Sequence, residues 1–433
     1  MSLSYDNVRG DDPRGHDPRS HDPYGAFRIA DYRNLMGAWL LIGMTNRMQL
    51  VALGWDMYER TGSAMAIAWI GVSQFVPSLL LALPAGQMAD RYDRRKLMMA
   101  STLVAALAAL VLLVAAATEA RSEWLYLGSF IGAAAQSLNR PARAALMTGI
   151  VPSALLPNAV AWSAGVNQFA AMAGPAIAGL AIALSSGALA AYAVVAAGSV
   201  AALALVLRIR PNRATVPIAA SGREASGLQH LFAGMVHIVR TPVILGSSLL
   251  DMLVVMFGAA MGLLPIYAKD ILQVGPSGLG WLASAPAVGA IVTVFVLNHL
   301  RPSPRPGQRF LWAVAAYGCA TLVFALSTHF VLSLAALAIV GSMNSISVVT
   351  RHSLLQAYTP DELRGRVSSA NGLFSGASSE LGQFEAGALA ALTTPVTAVV
   401  LGGCFTLAMT AIIAQRYPQL RELHSLTLSK STP

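Results

Sequence analysis

Apolar residues gather along this chain in runs of about twenty, the length of α-helix that crosses roughly 30 Å of hydrocarbon. The runs fall near 34–57, 63–88, 97–117, 124–146, 158–184 and 187–207. After a long polar stretch they resume near 243–267, 278–299, 309–327, 331–356, 368–392 and 396–416. The pattern predicts an all-α membrane protein with twelve transmembrane helices. Open sheet is excluded, because lipid leaves its edge groups without hydrogen-bond partners. The many glycines, alanines and serines inside the runs suit helices that pack closely in lipid.

Composition sharpens this picture. Of 433 residues, 55% are hydrophobic and 11% charged, against about 25% charged in soluble domains. That is too little charge to cover a water-facing surface. The net charge of +9 is read through the positive-inside rule rather than as a nucleic-acid footprint. With the N-terminus inside, the inner loops carry Arg91, Arg94, Arg95, Lys96 and ten further arginines, and the outer loops only Arg60, Arg121 and Lys269. Both termini are therefore expected to be cytoplasmic, in a bacterial inner membrane. The N-terminus has no early apolar segment of the kind a signal peptide needs. Cys319 and Cys404 show no metal or redox spacing, and no metal or cofactor is expected.

Five segments follow from the pattern. Residues 1–32 form a polar tail with a repeat built on Asp12-Pro13, Asp17-Pro18 and Asp22-Pro23, expected to be disordered. Residues 33–207 form one six-helix bundle, 208–241 a cytoplasmic linker, 242–417 a second bundle and 418–433 a C-terminal tail. The bundles look related. Arg143, Val151-Pro152, Gly165 and Gly174 recur 207 or 208 residues later as Arg351, Thr359-Pro360, Gly372 and Gly382. One shared offset across a helix end, a loop and the next helix indicates a parallel duplication into two pseudo-symmetric halves.

Between the second and third runs lies Gly86-Gln87-Met88-Ala89-Asp90-Arg91-Tyr92-Asp93-Arg94-Arg95-Lys96. Gly86 would let a helix end approach a neighbour, Asp90 would face a cation or a helix N-terminus, and the basic cluster would anchor at the interface. This segment resembles the loop signature of the major facilitator superfamily. Leu53-Gly54-Trp55 through Tyr58-Glu59-Arg60-Thr61-Gly62-Ser63, and Asn139-Arg140-Pro141-Ala142-Arg143 through Leu156-Pro157-Asn158, are similar to its branch of enterobactin and macrolide exporters. The resemblance implies a gate in which Asp90 pairs with Arg143 or Arg140, supported by Gly86, Arg91, Arg94 and Arg95. Asp93 stands where that pattern usually has glycine, and the second-half counterpart at Asn298-His299-Leu300-Arg301 is degenerate. Gly174-Pro175 through Gly179 resembles a weakened antiporter motif.

Polar groups inside a membrane are costly and mark functional positions. The first run holds Asn46, Arg47 and Gln49. The fourth has Gln136, the fifth Asn167 and Gln168, the seventh Asp251, the tenth Asn344, and the eleventh Glu380 and Gln383. In the fold that the resemblance implies, these runs line or flank a central cavity. Asp251 and Glu380 are the proton-coupling candidates, since a desolvated acid holds its proton more readily. Arg47 is expected either to face an anionic substrate or to form a fixed ion pair with an acid. Asp56 and Glu59 are expected at the outer interface, and the tryptophans, among them Trp39 and Trp55, in an aromatic belt. No P-loop or nucleophile elbow is present, so the expectation is no enzyme but a monomeric, proton-coupled exporter of a small organic molecule. A ferroportin-like metal carrier, suggested by Thr45-Asn46-Arg47-Met48, and a non-transporting receptor are the alternatives.

Overall fold

A computed structural model describes residues 24–185, 187–210, 227–258, 260–299 and 305–423. The N-terminal repeat, residues 211–226 of the expected linker, the end of the C-terminal tail and the degenerate loop around Arg301 lie outside the described residues, as does the Asp90 side chain. The regular structure is helical: α1 (Ala30–Thr61), α2 (Ala64–Arg91), α3 (Arg94–Ala117), α4 (Glu123–Ile150), α5 (Leu156–Ser185), α6 (Leu189–Arg208) and α7 (Gly227–Arg240) lead to α8 (Pro242–Phe257) and the single turn α9 (Leu264–Ile266). Then come α10 (Gly275–His299), α11 (Pro306–Leu326), α12 (Phe330–Ala357), α13 (Arg364–Leu392), α14 (Pro395–Arg416) and the short α15 (Pro418–Arg421).

Among the described residues, nine stretches are long and apolar enough to cross a bilayer. The helices α1, α4 and α13 are as long, at 32, 28 and 29 residues, but are not among them. These three carry much of the polar inventory singled out above, Arg47, Gln136 and Glu380 included. A helix that faces a wet interior has to be less apolar than one in lipid.

The run over 243–267 does not form one helix. It stops at Phe257 with Gly258 as its cap, passes through a 3-10 turn at Ala260–Leu263 and α9, and continues as a π turn over Tyr267–Ile271. Gly258 caps the first helix with its N–H on the Val254 carbonyl oxygen, and Pro265 stands at the start of α9, where its missing N–H costs no helical hydrogen bond.

Local geometry repeats across the two halves. Pro152 stands at φ −56°, ψ 148° before the 3-10 turn Ser153–Leu155, and Pro360 at φ −56°, ψ 147° before Asp361–Leu363. In each half a long helix ending near an arginine, a proline cap and a three-residue turn lead into the next long helix.

Packing differs between the two ends of the molecule. Where α1 finishes, one apolar cluster joins Leu53, Trp55 and Tyr192 from the first half to Leu264, Tyr267, Leu279 and Phe324 from the second. At the opposite end the cores stay separate. Tyr32, Met98 and Leu146 belong to one, Phe310, Leu354 and Ile413 to another, and Ile244 and Val367 to a third. The halves are thus fused at the Tyr58 end and not at the Arg91 end.

The fused end depends on a backbone approach between α5 and α10. A Cβ on Gly179 would lie 2.5 Å from the Pro276 carbonyl oxygen and 2.7 Å from the Gly280 Cα, closer than atoms tolerate. Glycine is therefore required there. At the same end Gly62 takes φ +60° and closes α1, with its N–H bonded to the Tyr58 carbonyl oxygen, the usual glycine solution for a helix C-terminus.

Candidate functional site

A chamber lies between the helices, in two connected parts of about 520 and 460 Å³. Arg47, Leu50 and Gln383 line both. Arg47 stands seventeen residues into the 32-residue α1, near the middle of a helix that rises about 1.5 Å per residue.

The part toward the Arg91 end takes Asn46, Gln49, Gln136 and Asn167, with Arg47, Glu380 and Gln383. The part toward the Tyr58 end takes Gln168 and Asn344, again with Arg47 and Gln383. Nine of the ten polar residues singled out in the sequence therefore meet around one space. Their helices differ in role. Gln168 Nε2 donates across the halves to the Ala287 carbonyl oxygen at 3.0 Å, tying α5 to α10. Gln49 fits against Gly132 of α4.

Asp251 is the exception. It is buried away from both large parts and pairs with Arg351 of α12 at 3.1 Å, while Ser375 of α13 donates to its Oδ2 at 3.0 Å. Arg351 also donates to Asn371 Oδ1 at 2.9 Å. The fixed ion pair considered for Arg47 is thus made by another arginine. Among the described residues Arg47 itself has no ion-pair partner. Sequence reasoning passed over Arg351, although its place 208 residues after Arg143 marked it as an arginine at a helix end.

Glu380 faces the chamber from α13. Ser78 of α2 donates to its Oε1 at 3.0 Å, and its Oε2 is buried without a partner among the described residues. Arg140 and Arg143, expected only at a gate, line the chamber as well. The Arg143 guanidinium lies 3.8 Å from the Trp39 ring centroid, so Trp39 is no belt residue. Asn139 beside them donates to Ser101 and Thr102 at 3.1 and 3.2 Å, which holds α4 to α3.

The loop after α2 builds differently from its expectation in two respects. A Cβ on Gly86 would meet nothing within 4 Å, because Gly86 lines a cavity between α2, α4 and α13. Asp93, by contrast, is the N-cap of α3. Its Oδ1 accepts from the Arg95 and Lys96 N–H groups at 2.9 and 3.1 Å, with φ −57°. The turn thus needs no glycine there, and an acidic residue is stabilising at a helix N-terminus. Arg94 donates to the Ala145 carbonyl oxygen and Arg95 to that of Leu207, while Arg91 is exposed.

At the Tyr58 end, the Tyr58 hydroxyl donates to Asp270 across the halves. The Lys269 ammonium lies 5.6 Å from the Tyr58 ring and 6.0 Å from that of Trp55. Asp56, near the end of α1, is enclosed by protein. It is buried, held by Arg60 at 2.6 Å and Tyr192 at 3.2 Å.

Helices that bury a polar chamber in an apolar shell, packed shut at one end, define a multi-pass membrane transporter. The chain belongs to the Major Facilitator Superfamily, whose family model matches residues 35–383. It is 29% identical over 179 residues to "Enterobactin exporter EntS" of Escherichia coli O1:K1 / APEC, and likewise to that of Shigella boydii serotype 18. The match takes in 41% of this chain and spans 42% of the length of those relatives. Among solved structures, a bacterial homolog of the human lysosomal transporter Spinster, in an inward-facing and unoccupied conformation, aligns with TM-score 0.68 at 16% identity, covering 93% of this chain and 99% of that one. A POT family transporter in complex with a thioalcohol-conjugated peptide aligns with TM-score 0.73 at 13% identity, covering 90% and 96%.

Proposed function

We propose that this transporter is a secondary active exporter, driven by the proton gradient, that moves a small organic molecule out of a bacterial cell by alternating access of two six-helix halves. In this reading α1, α4 and α13 also span the membrane, giving twelve spans. Residues 33–207 and 242–417 are the moving units, and both termini are cytoplasmic. The observation that carries the proposal is the asymmetry of packing: one core fuses the halves at the Tyr58 end, and three separate cores leave the chamber accessible from the Arg91 end. The basic loops assign that accessible end to the cytoplasm. Export as the direction is supported by the partial similarity to an enterobactin exporter, which also makes a siderophore one candidate cargo.

Glu380 is the favoured proton carrier. It faces the chamber with one oxygen unpartnered, the position in which a bound proton relieves the cost of a buried charge. Asp251 is engaged in its pair with Arg351 and lines neither part of the chamber. The metal-carrier alternative gains no support, since among the described residues no three or more metal-ligating side chains come together.

The test is efflux from proteoliposomes loaded in turn with siderophores, amphipathic drugs and divalent metals, with and without an imposed pH gradient. Efflux of an organic compound that depends on the gradient and falls in Glu380→Gln is expected. Asp90→Asn is expected to insert normally and lose efflux. Gradient-independent leakage, or movement of metals alone, would overturn the reading.

A further inference from the structure

The two parts of the chamber are chemically unlike. The larger is walled by Val51, Ile67, Leu279, Ala283 and Val348, with few polar groups. The other holds Arg47, Arg140 and Arg143, and Glu380 is its single carboxylate among the described residues. Three arginines against one acid leave the smaller part with an excess of positive charge. Arg47 stands on the boundary, lining both.

Nothing within the described chain neutralises this excess. Arg47 and Arg140 have no ion pair or hydrogen bond among the described residues. Arg143 rests on Trp39, and its Nε is buried without a partner. The arginines also lie near enough for Arg140 to repel both of the others. Charged side chains at membrane depth are rare, and where they face a water-filled cavity they mark substrate pathways. Arg351 is buried and paired with Asp251, whereas Arg47 and Arg140 are exposed to the chamber. The chamber arginines are thus open to a counter-charge brought by a ligand.

We propose that the cargo is an amphipathic organic anion. Its carboxylate, sulfonate or comparable acidic group sits among Arg47, Arg140 and Arg143, and its apolar body fills the larger part beyond Arg47. Arginine suits the task because its planar fork binds such oxygens in pairs and stacks on aromatic faces. Glu380 feels the charge of Arg140 and competes with the incoming anion for it. This inference rests on the transporter reading above, and deepens it by fixing the charge and shape of the cargo.

The experiment is equilibrium binding to the full-length protein in nanodiscs of zwitterionic lipid, which removes anionic headgroups as an occupant. Three probes of matched size are compared: naphthalene-2-sulfonate, its neutral sulfonamide and a naphthyl trimethylammonium cation. The sulfonate is expected to bind at least about tenfold tighter than either, since hydrogen bonds from arginine to an anion are stronger than those to a neutral group. Arg140→Gln and Arg143→Gln each weaken the sulfonate alone. Glu380→Gln tightens it, a gain that misfolding cannot mimic. Inorganic sulfate at equal concentration displaces little of it, because sulfate has no apolar body. Equal affinity for the three probes, Arg variants that weaken all of them alike, or full displacement by sulfate would overturn the proposal. Absence of efflux with the sulfonate preference intact would sink the exporter reading alone. Efflux of neutral compounds with no such preference would sink this one alone.

Discussion

Asp251 of α8 and Arg351 of α12 meet at 3.1 Å with both side chains buried, whereas Arg143, the residue 208 positions before Arg351, lies over the Trp39 ring and, among the described residues, has no ion pair. The two arginines stand at corresponding points of the two halves, each near the end of a long helix, and are used differently. In the second half the arginine is neutralised and ties α8 to α12, with Ser375 and Asn371 of α13 completing the network. In the first half it lines the chamber. One repeat carries a structural arginine and the other a chemically available one.

The pair makes a stability prediction. Removing one partner of a buried ion pair leaves the other charge uncompensated, at a cost of about 3–5 kcal/mol. Asp251→Asn is expected to lower the apparent melting temperature in detergent markedly, followed by tryptophan fluorescence. The double variant Asp251→Leu, Arg351→Met should recover much of the loss, because no orphan charge remains. A single variant that melts with the parent would show that the pair contributes no net stability.

Asp93 supports a smaller, local prediction. Its carboxylate accepts from the Arg95 and Lys96 amides. Loss of an N-cap costs about 1 kcal/mol for alanine and only a few tenths for glycine. Asp93→Ala should therefore accelerate amide exchange at Arg95 and Lys96 more than Asp93→Gly does, and Asp93→Asn should change it least. Equal exchange in all three variants would remove the cap from the account.

These two aspartates also show how far the sequence could be read. The helical runs were plain, because lipid demands twenty apolar residues in a row and little else produces them. The run containing Pro265 misled, since a composition count does not register that one helix is capped at Gly258 and another turn starts at Leu264. The chamber residues were legible as a set, because a polar side chain in an apolar run has few places to go. Their partners were not. Whether Asp251 faces Arg351 or Arg47 depends on the rotation of three helices about their axes, and the pattern along any one helix leaves that open. Asp93 was legible only as a departure from the glycine of the resembling motif, and that it caps the helix that follows shows only in its backbone and side-chain geometry.

The join between α5 and α10 can be opened. Gly179 and Gly280 meet backbone to backbone, so Gly280→Val has to push the halves apart at the Tyr58 end. Ala268 is fully buried in the cluster that fuses them. In a parent with Cys319→Ser and Cys404→Ser, maleimide labelling of Ala268→Cys in detergent should rise several-fold when Gly280→Val is added. Unchanged labelling would mean that the fused end tolerates the added volume and that this contact does not hold it shut.

Tyr58 offers a gentler route to the same end. Its hydroxyl donates to the Asp270 carboxylate, linking α1 directly to the π turn of the other half. Lys269 beside them lies over the Tyr58 and Trp55 rings and keeps a positive charge close to the carboxylate. A hydrogen bond to a charged group contributes about 1.5–3 kcal/mol, and this one exists only while the end is closed. Tyr58→Phe removes it without changing the volume of the side chain. The closed population should fall by roughly tenfold relative to the open one, read as faster labelling of Ala268→Cys. Asp270→Asn, which keeps an acceptor but not the charge, should fall between Tyr58→Phe and the parent. If Tyr58→Phe labels at the parent rate, the apolar cluster alone closes this end and the hydroxyl is incidental to the transport cycle.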